Sequence, residues 1–176
     1  MLLASCPISQ EWTAYATRKA TGSSFNKDTI LEDGAGQVAG IIGELAFGRF
    51  LKSIDAPFLY VADQKRGHDF VVGGLKVDVK TKSCSSRPRP HYTAHVTESQ
   101  RNYEADLYVF ARVSPDKVWL CGHIRKDQFW QDPNAVDIKK GQMADGLMQH
   151  ADARRIQLHH LNPMATLRPI LLATAG

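Results

Sequence analysis

Two aspartates and a lysine lie close together on either side of a double glycine. Asp69 precedes that glycine pair, and Asp78 and Lys80 follow it. Carboxylate oxygens are hard donors that suit Mg²⁺, an ion that takes few protein ligands and keeps several waters. A lysine two residues further on could position or deprotonate a water, or stabilise the charge that develops on a phosphate. These residue types at this spacing indicate metal-assisted hydrolysis of a phosphate ester.

A hairpin would hold these three side chains together. Gly73-Gly74 separates two β-rich runs, which predicts a two-residue turn. Continued from that turn, the pairing places Asp69 opposite Asp78, and alternation along the strand places Lys80 on the same face. Two carboxylates opposite each other destabilise a strand pair, and a bound cation would remove that penalty. The alternative is a solvent-facing hairpin whose charged residues are ordinary surface pairs.

A third carboxylate is predicted on a helix that spans about residues 33–53. Glu44 lies beside the apolar stripe of this helix, and glycines occupy the positions four residues before and after it. Helical glycines cost roughly 1 kcal/mol each, so they suggest the close approach of another backbone. The stripe has the spacing of a buried helix face and comprises Val38, Ile41, Ile42 and Leu45. The alternative is a tightly packed helix with an incidental edge glutamate.

Gly40-Ile41-Ile42-Gly43-Glu44, then Asp69, then Asp78-Val79-Lys80-Thr81 resemble the motifs of the PD-(D/E)XK superfamily in their order along the chain. This restriction-endonuclease-like superfamily has small phage and bacterial members, which the chain resembles most. The resemblance covers about residues 36–125 and implies an α/β fold with a mixed central β-sheet flanked by helices. One departure is His68 before Asp69, where the pattern has proline.

The resemblance implies specific roles for the matching residues. Asp69 and Asp78 would bind Mg²⁺, for which Mn²⁺ would substitute, and the Val79 carbonyl would be a backbone ligand. Lys80 would assist the water that attacks phosphorus. Glu44 would be a further acidic residue of the site, acting directly or through water. In one branch of the superfamily a glutamine lies on the helix after the lysine strand, which implies a site role for Gln100; a surface glutamine is the alternative.

Basic residues surround this candidate site. The chain has 176 residues, 22 Lys and Arg, 18 Asp and Glu and a net charge of +4. Residues 64–101 hold eight of the basic residues and only three of the acidic ones, so the positive charge is local. Basic segments bind phosphate backbones, although a solvated loop with lysines has the same composition. The candidate nucleic-acid contacts are Lys65, Arg66, Lys82, Arg87 and Arg89.

The rest of the chain predicts a single domain over residues 1–176, with a core of about 33–131 and a C-terminal extension of 132–176. A helix is predicted from Ser9, its N-cap, to Ala20. The remaining strands fall at about Phe58–Ala62, 92–96, 107–113 and 118–124, with a short helix at 126–131 and an edge strand at 155–161. The tail from Asp132 is expected to be otherwise irregular.

Several classes of protein are not supported. No apolar run is long enough to span a membrane, and the first residues lack the pattern of a signal peptide. Three widely spaced cysteines, without CxxC, fit a reducing cytoplasm, and histidine spacing favours no metal site. Nucleotide-binding glycine motifs are absent, so no nucleotide cofactor is expected.

The sequence therefore predicts a cytoplasmic, Mg²⁺-dependent nuclease acting on nucleic acid, most readily DNA. Many members of the superfamily are homodimers, and the chain offers no segment that decides this. The alternatives are a catalytically silent nucleic-acid-binding or structural protein on the same scaffold, and an unrelated small-molecule enzyme with a metal-free hairpin. Endonuclease and exonuclease action stay open.

Overall fold

A computed structural model describes residues 4–22, 35–61, 67–144 and 147–173. The described helices are α1 (Gln10–Gly22), α2 (Ala35–Ser53), α3 (Lys126–Gln131) and α4 (Leu167–Ala173). The strands are β1 (Ala4–Pro7), β2 (Phe58–Tyr60), β3 (Phe70–Val72), β4 (Leu75–Ser83), β5 (Thr93–Thr97), β6 (Leu107–Val113), β7 (Lys117–Arg125), β8 (Val136–Ile138), β9 (Met143–Ala144), β10 (Leu147–Met148) and β11 (Ala153–Gln157). None of the described helices is long and apolar enough to cross a membrane.

Six strands form the main sheet in the order β1-β7-β6-β4-β3-β2. The β4–β6 pair is parallel and the other neighbouring pairs are antiparallel, so the sheet is mixed. A second, antiparallel sheet has the order β5-β11-β8. The predicted α/β class with a mixed sheet and flanking helices is confirmed at this level.

Two hydrophobic cores cover the two faces of the main sheet. The first core holds the apolar face of α2 together with α1 and α4, and it includes Phe47, Val77 and Val79. The second core lies between the main sheet and the second sheet, and it includes Tyr108 and Phe129. Alternate residues of β4 and β6 therefore face different cores, which decides where each polar side chain of β4 points.

Local sequence patterns predicted several of the elements correctly. Ser9 caps α1, since its Oγ accepts a hydrogen bond from the Trp12 N–H at 3.2 Å. The glycine turn is confirmed: φ is 55° at Gly73 and 82° at Gly74, and both values favour glycine in a two-residue hairpin. The bounds predicted for β6 and α3 match the structure.

The C-terminal region differs from its prediction. The predicted edge strand is β11, which begins at Ala153 and lies in the centre of the second sheet between β5 and β8. Residues beyond it form α4, whose Leu167 and Leu171 are buried in the first core. Neither α4 nor β1 was predicted. Both elements are short, and burial against distant strands stabilises them more than their own sequence pattern does.

The close approach between α2 and the sheet occurs at Gly43. An added Cβ at Gly43 would overlap the side chain of Thr81 on β4. Gly48 would only reach ordinary contact with aromatic rings, and Gly40 has open space around it. The glycines that flank Glu44 at four residues are therefore not the ones that the packing requires.

Replacing Gly43 with alanine is expected to destabilise the protein. Overpacking typically costs about 1–3 kcal/mol, against a gain of about 1 kcal/mol in helix propensity. The free energy of unfolding should fall for Gly43→Ala and partly recover in the Gly43→Ala/Thr81→Ala double variant. Gly40→Ala is the matched control, and it should raise that free energy by about 1 kcal/mol. Urea unfolding measures all three; equal stability of the two single variants would contradict this packing.

Candidate functional site

Asp69 immediately precedes β3, beyond the last residue pair between β3 and β4. The β3–β4 pairing stops at Phe70 opposite Val77, and the Asp69 N–H donates to the Val77 carbonyl at 2.9 Å. The Asp69 carboxylate accepts a hydrogen bond from the Val79 N–H at 2.7 Å. A strand N–H points along the sheet plane, so this carboxylate occupies the strand edge. The predicted direct opposition of Asp69 and Asp78 on one face is therefore replaced by an in-plane position for Asp69.

The edge position explains how three carboxylates from different elements approach one another. Glu44 comes from α2, which packs on the first-core face of the sheet. Asp78 points to the opposite face, beside its β6 partner Tyr108. Asp69 lies between the two faces and interacts electrostatically with both carboxylates. We call Glu44, Asp69 and Asp78 the acidic cluster.

Burial and like charge both act on Asp69. Desolvation raises the pKa of the Asp69 carboxyl well above its ordinary value, and the charges of Glu44 and Asp78 raise it further. The Val79 N–H and Lys80 act in the opposite direction but do not compensate. The fold therefore holds negative charge at this edge at a cost in stability, which a bound cation would reduce.

Lys80 and Asp78 form a closely packed ion pair. Their Nζ and Oδ2 atoms are 2.7 Å apart, and the side chains are only 18% and 6% exposed. Burial lowers the pKa of Lys80, but Asp78 and Asp69 raise it more, so its pKa lies above the ordinary value. Lys80 is consequently protonated at neutral pH, which favours charge stabilisation over proton removal among its predicted roles.

Glu44 is held by two linked hydrogen bonds that the sequence did not predict. The Tyr60 hydroxyl donates to Glu44 Oε2 at 2.5 Å, and Lys19 Nζ donates to the Tyr60 hydroxyl at 3.3 Å. Burial, and then the Glu44 charge, raises the pKa of Tyr60, so this hydroxyl keeps its proton. Tyr60 is the last residue of a short strand, and nothing in its sequence context indicated this contact.

Arg112 is another buried polar residue that the sequence reasoning missed. It is 6% exposed within a strand whose residues are all buried, and its Nη2 donates to the Thr93 carbonyl. The signal was present, because an arginine inside an otherwise apolar β-run is seldom buried without a partner or a function.

A cavity of about 110 Å³ opens between the two sheets beside Lys80, and we call it the inter-sheet cavity. Gln100, which lies in the 3-10 turn Glu98–Gln100, is one of its lining residues. Lys82 and Arg112 line the same cavity. The structure thus brings Gln100 and Lys82 to the side of the sheet that carries Lys80.

The other described candidates for nucleic-acid contact, Arg87 and Arg89, do not line the inter-sheet cavity. Arg87 and Arg89 are exposed on the loop between β4 and β5. Lys65 and Arg66 fall outside the described residues. These basic segments flank the hairpin in sequence, and among the described members of this set Lys82 is the one that lines the inter-sheet cavity.

The donor set at the acidic cluster suits a hard divalent ion, though it is not a compact three-ligand site. Within the described ranges, no three His, Cys, Asp or Glu side chains are grouped closely enough to share one metal. The N–H and C=O of one strand residue point to the same edge, so the Val79 carbonyl points toward the Asp69 side. Asp69, the Val79 carbonyl and an adjacent carboxylate offer oxygen ligands, and Mg²⁺ fills its remaining positions with water.

Comparison with models of known protein families, with curated proteins and with solved structures finds no match for this chain.

Proposed function

We propose that the protein hydrolyses phosphodiester bonds of nucleic acid, preferentially DNA, with Mg²⁺ at the acidic cluster and a restriction-endonuclease-like core. The observation that carries the proposal is the edge position of Asp69, between Glu44 and Asp78 and beside the Lys80 ammonium group. This arrangement puts hard anionic ligands and a cation next to one another, as the reaction needs: ligands for a metal and positive charge for a phosphate.

The fold order supports the same proposal. The hairpin β3–β4 carries Asp69, Asp78 and Lys80, and the next strand of the main sheet, β6, runs parallel to β4. Helix α2, which carries Glu44, packs on β4. The superfamily resemblance implies the order helix, hairpin, helix and strand, and in this chain the 3-10 turn Glu98–Gln100 lies at the position of the second helix.

The acidic cluster and the residues beside it would have different roles in the hydrolysis. Asp69, Asp78 and the Val79 carbonyl would hold the ion, and Glu44 would bind it directly or through water. A bound Mg²⁺ offsets charge on the phosphate and lowers the pKa of an attacking water. Protonated Lys80 stabilises negative charge on the phosphoryl oxygens, and its ion pair with Asp78 orients it. Gln100, which lines the inter-sheet cavity, would donate a hydrogen bond to a phosphate oxygen there.

One observation favours a second candidate, a nucleic-acid-binding protein without catalysis. The described residues contain no three-side-chain metal group, while Lys80, Lys82 and Arg112 bring positive charge to one cavity. Such a protein would bind nucleic acid in EDTA and in Mg²⁺ equally and would cleave none.

A cleavage panel separates the two candidates. Linear, circular, single-stranded and branched DNA, and RNA, are incubated with the protein in Mg²⁺, in Mn²⁺ and in EDTA. We expect cleavage of at least one DNA form with either metal and none in EDTA. Binding of these substrates without metal-stimulated cleavage of any would reject hydrolysis and support the second candidate.

A further inference from the structure

The inter-sheet cavity has a basic wall. Lys80 and Lys82 from β4 and Arg112 from β6 line it, with His95 of β5 on the facing sheet. None of its described lining residues is acidic. The cavity is therefore electrostatically suited to an anion, in contrast to the acidic cluster beside it.

Strand pairing puts two of these cations side by side. Lys82 and Arg112 are direct partners in the parallel β4–β6 ladder, so both side chains leave the same face of the sheet. Arg112 is buried and donates a hydrogen bond to the Thr93 carbonyl of the facing sheet, so it is held in place at the wall of the cavity. Two cationic side chains on one face of a sheet can contact the same phosphate group.

The inner surface of the cavity limits the anion, and the volume of about 110 Å³ is sufficient for a phosphate group. Its inner surface consists of buried side chains from both sheets and from the turn that follows β11, namely Ala94, Phe110, Cys121 and Leu158. An internal phosphodiester would have to carry a nucleoside on each side, whereas a terminal phosphate enters with only one.

We propose that the inter-sheet cavity binds the terminal phosphate monoester of a nucleic-acid strand. That the ligand is a strand end, not a free phosphate ion, rests on the proposed function. Lys80 lines the cavity and pairs with Asp78, so a strand anchored there has its first linkages beside the acidic cluster. The protein then acts from strand ends.

Binding in EDTA tests this inference without requiring cleavage. The affinity of the full chain is measured by fluorescence anisotropy for single-stranded oligonucleotides that differ only in a phosphate or a hydroxyl at the 5′ or the 3′ end. We expect roughly 10-fold tighter binding for a phosphate at one of the two ends, as for a charge-assisted hydrogen bond. Lys82→Met should abolish this ratio and Lys82→Arg should largely retain it. Lys139→Met, at an exposed lysine just after β8, should leave it unchanged.

Each contrary result has a definite meaning. Equal affinity for phosphate and hydroxyl ends would overturn the inference, as would a preference that Lys82→Met leaves intact in a variant with wild-type Tm. A rise in Tm with inorganic phosphate that Lys82→Met removes, without any end preference, would assign the cavity to free phosphate and also overturn it. An end preference in a protein that cleaves nothing would support the cavity and reject hydrolysis, so the two failures are distinguishable.

Discussion

Lys80→Met is expected to lower the Mg²⁺-dependent cleavage rate by about 10²–10³, the effect of removing one preorganised group that stabilises transition-state charge. Lys80 is placed for this role because its pKa lies above the ordinary value, so it carries its charge at neutral pH. Lys80→Arg keeps the charge but changes its geometry, and it should retain part of the activity. Cleavage rates at saturating Mg²⁺ are the measurement.

The same variant is also expected to be less stable, and the two effects must be separated. Removing one partner of a buried ion pair costs on the order of 3 kcal/mol because the other charge stays buried. Lys80→Met leaves Asp78 in that position, and the double variant Asp78→Asn/Lys80→Met should recover most of the stability while it stays inactive. Lys76→Met is the matched control on the same strand, since its pair with Glu104 is exposed and contributes less than about 1 kcal/mol.

The proposed role of Lys80 would be contradicted by a folded Lys80→Met protein that cleaves within about threefold of the wild-type rate. Loss of cleavage in Lys76→Met as well would indicate a general electrostatic contribution of β4, not a specific group.

The sequence contained enough information to locate the hairpin and its register, because two adjacent glycines and strict alternation act over a few residues. It did not determine where the ladder would end. Whether Asp69 continues the pairing or turns to the strand edge depends on the Val79 N–H and on the carboxylates around it. Such a choice is made by tertiary packing, which no local pattern records.

The second sheet shows the same limit on a larger scale. Strand β5 pairs with β11, which is more than fifty residues away in the chain, and both strands have ordinary β-sequences. The inter-sheet cavity and the approach of Gln100 to Lys80 exist only because of that pairing. Glu44 was identified by its isolation on an apolar helix, whereas its partner Tyr60 was not, because an aromatic residue at a strand end has many uses.

Asp69→Asn is expected to raise the stability of the metal-free protein and to abolish its stabilisation by Mg²⁺. The amide can still accept the Val79 N–H, while the repulsion from Glu44 and Asp78 is removed. We expect a rise in Tm of about 2–4 °C, which corresponds to ~1 kcal/mol for a chain of this size. In the wild-type protein, Mg²⁺ at ten times its Kd should add ~1.4 kcal/mol, and in the variant almost nothing.

The pH dependence of stability distinguishes the removal of a buried charge at Asp69 from a purely structural effect of the substitution. Because the Asp69 pKa is raised on folding, the ionised carboxyl destabilises the protein above its folded pKa. That cost disappears as the pH falls from the folded pKa toward the unfolded value near ~3.9.

His123 has the opposite effect on the pH dependence of stability. Burial lowers its pKa to about 4, so the stability that the neutral ring contributes is lost as the pH falls from about 6.5 to 4. Both proteins contain His123, so its effect cancels in the Tm difference between Asp69→Asn and wild type. That difference should shrink as the pH falls. A metal-free Asp69→Asn protein that is less stable than wild type at pH 7, or that Mg²⁺ still stabilises fully, would remove Asp69 from the proposed metal site.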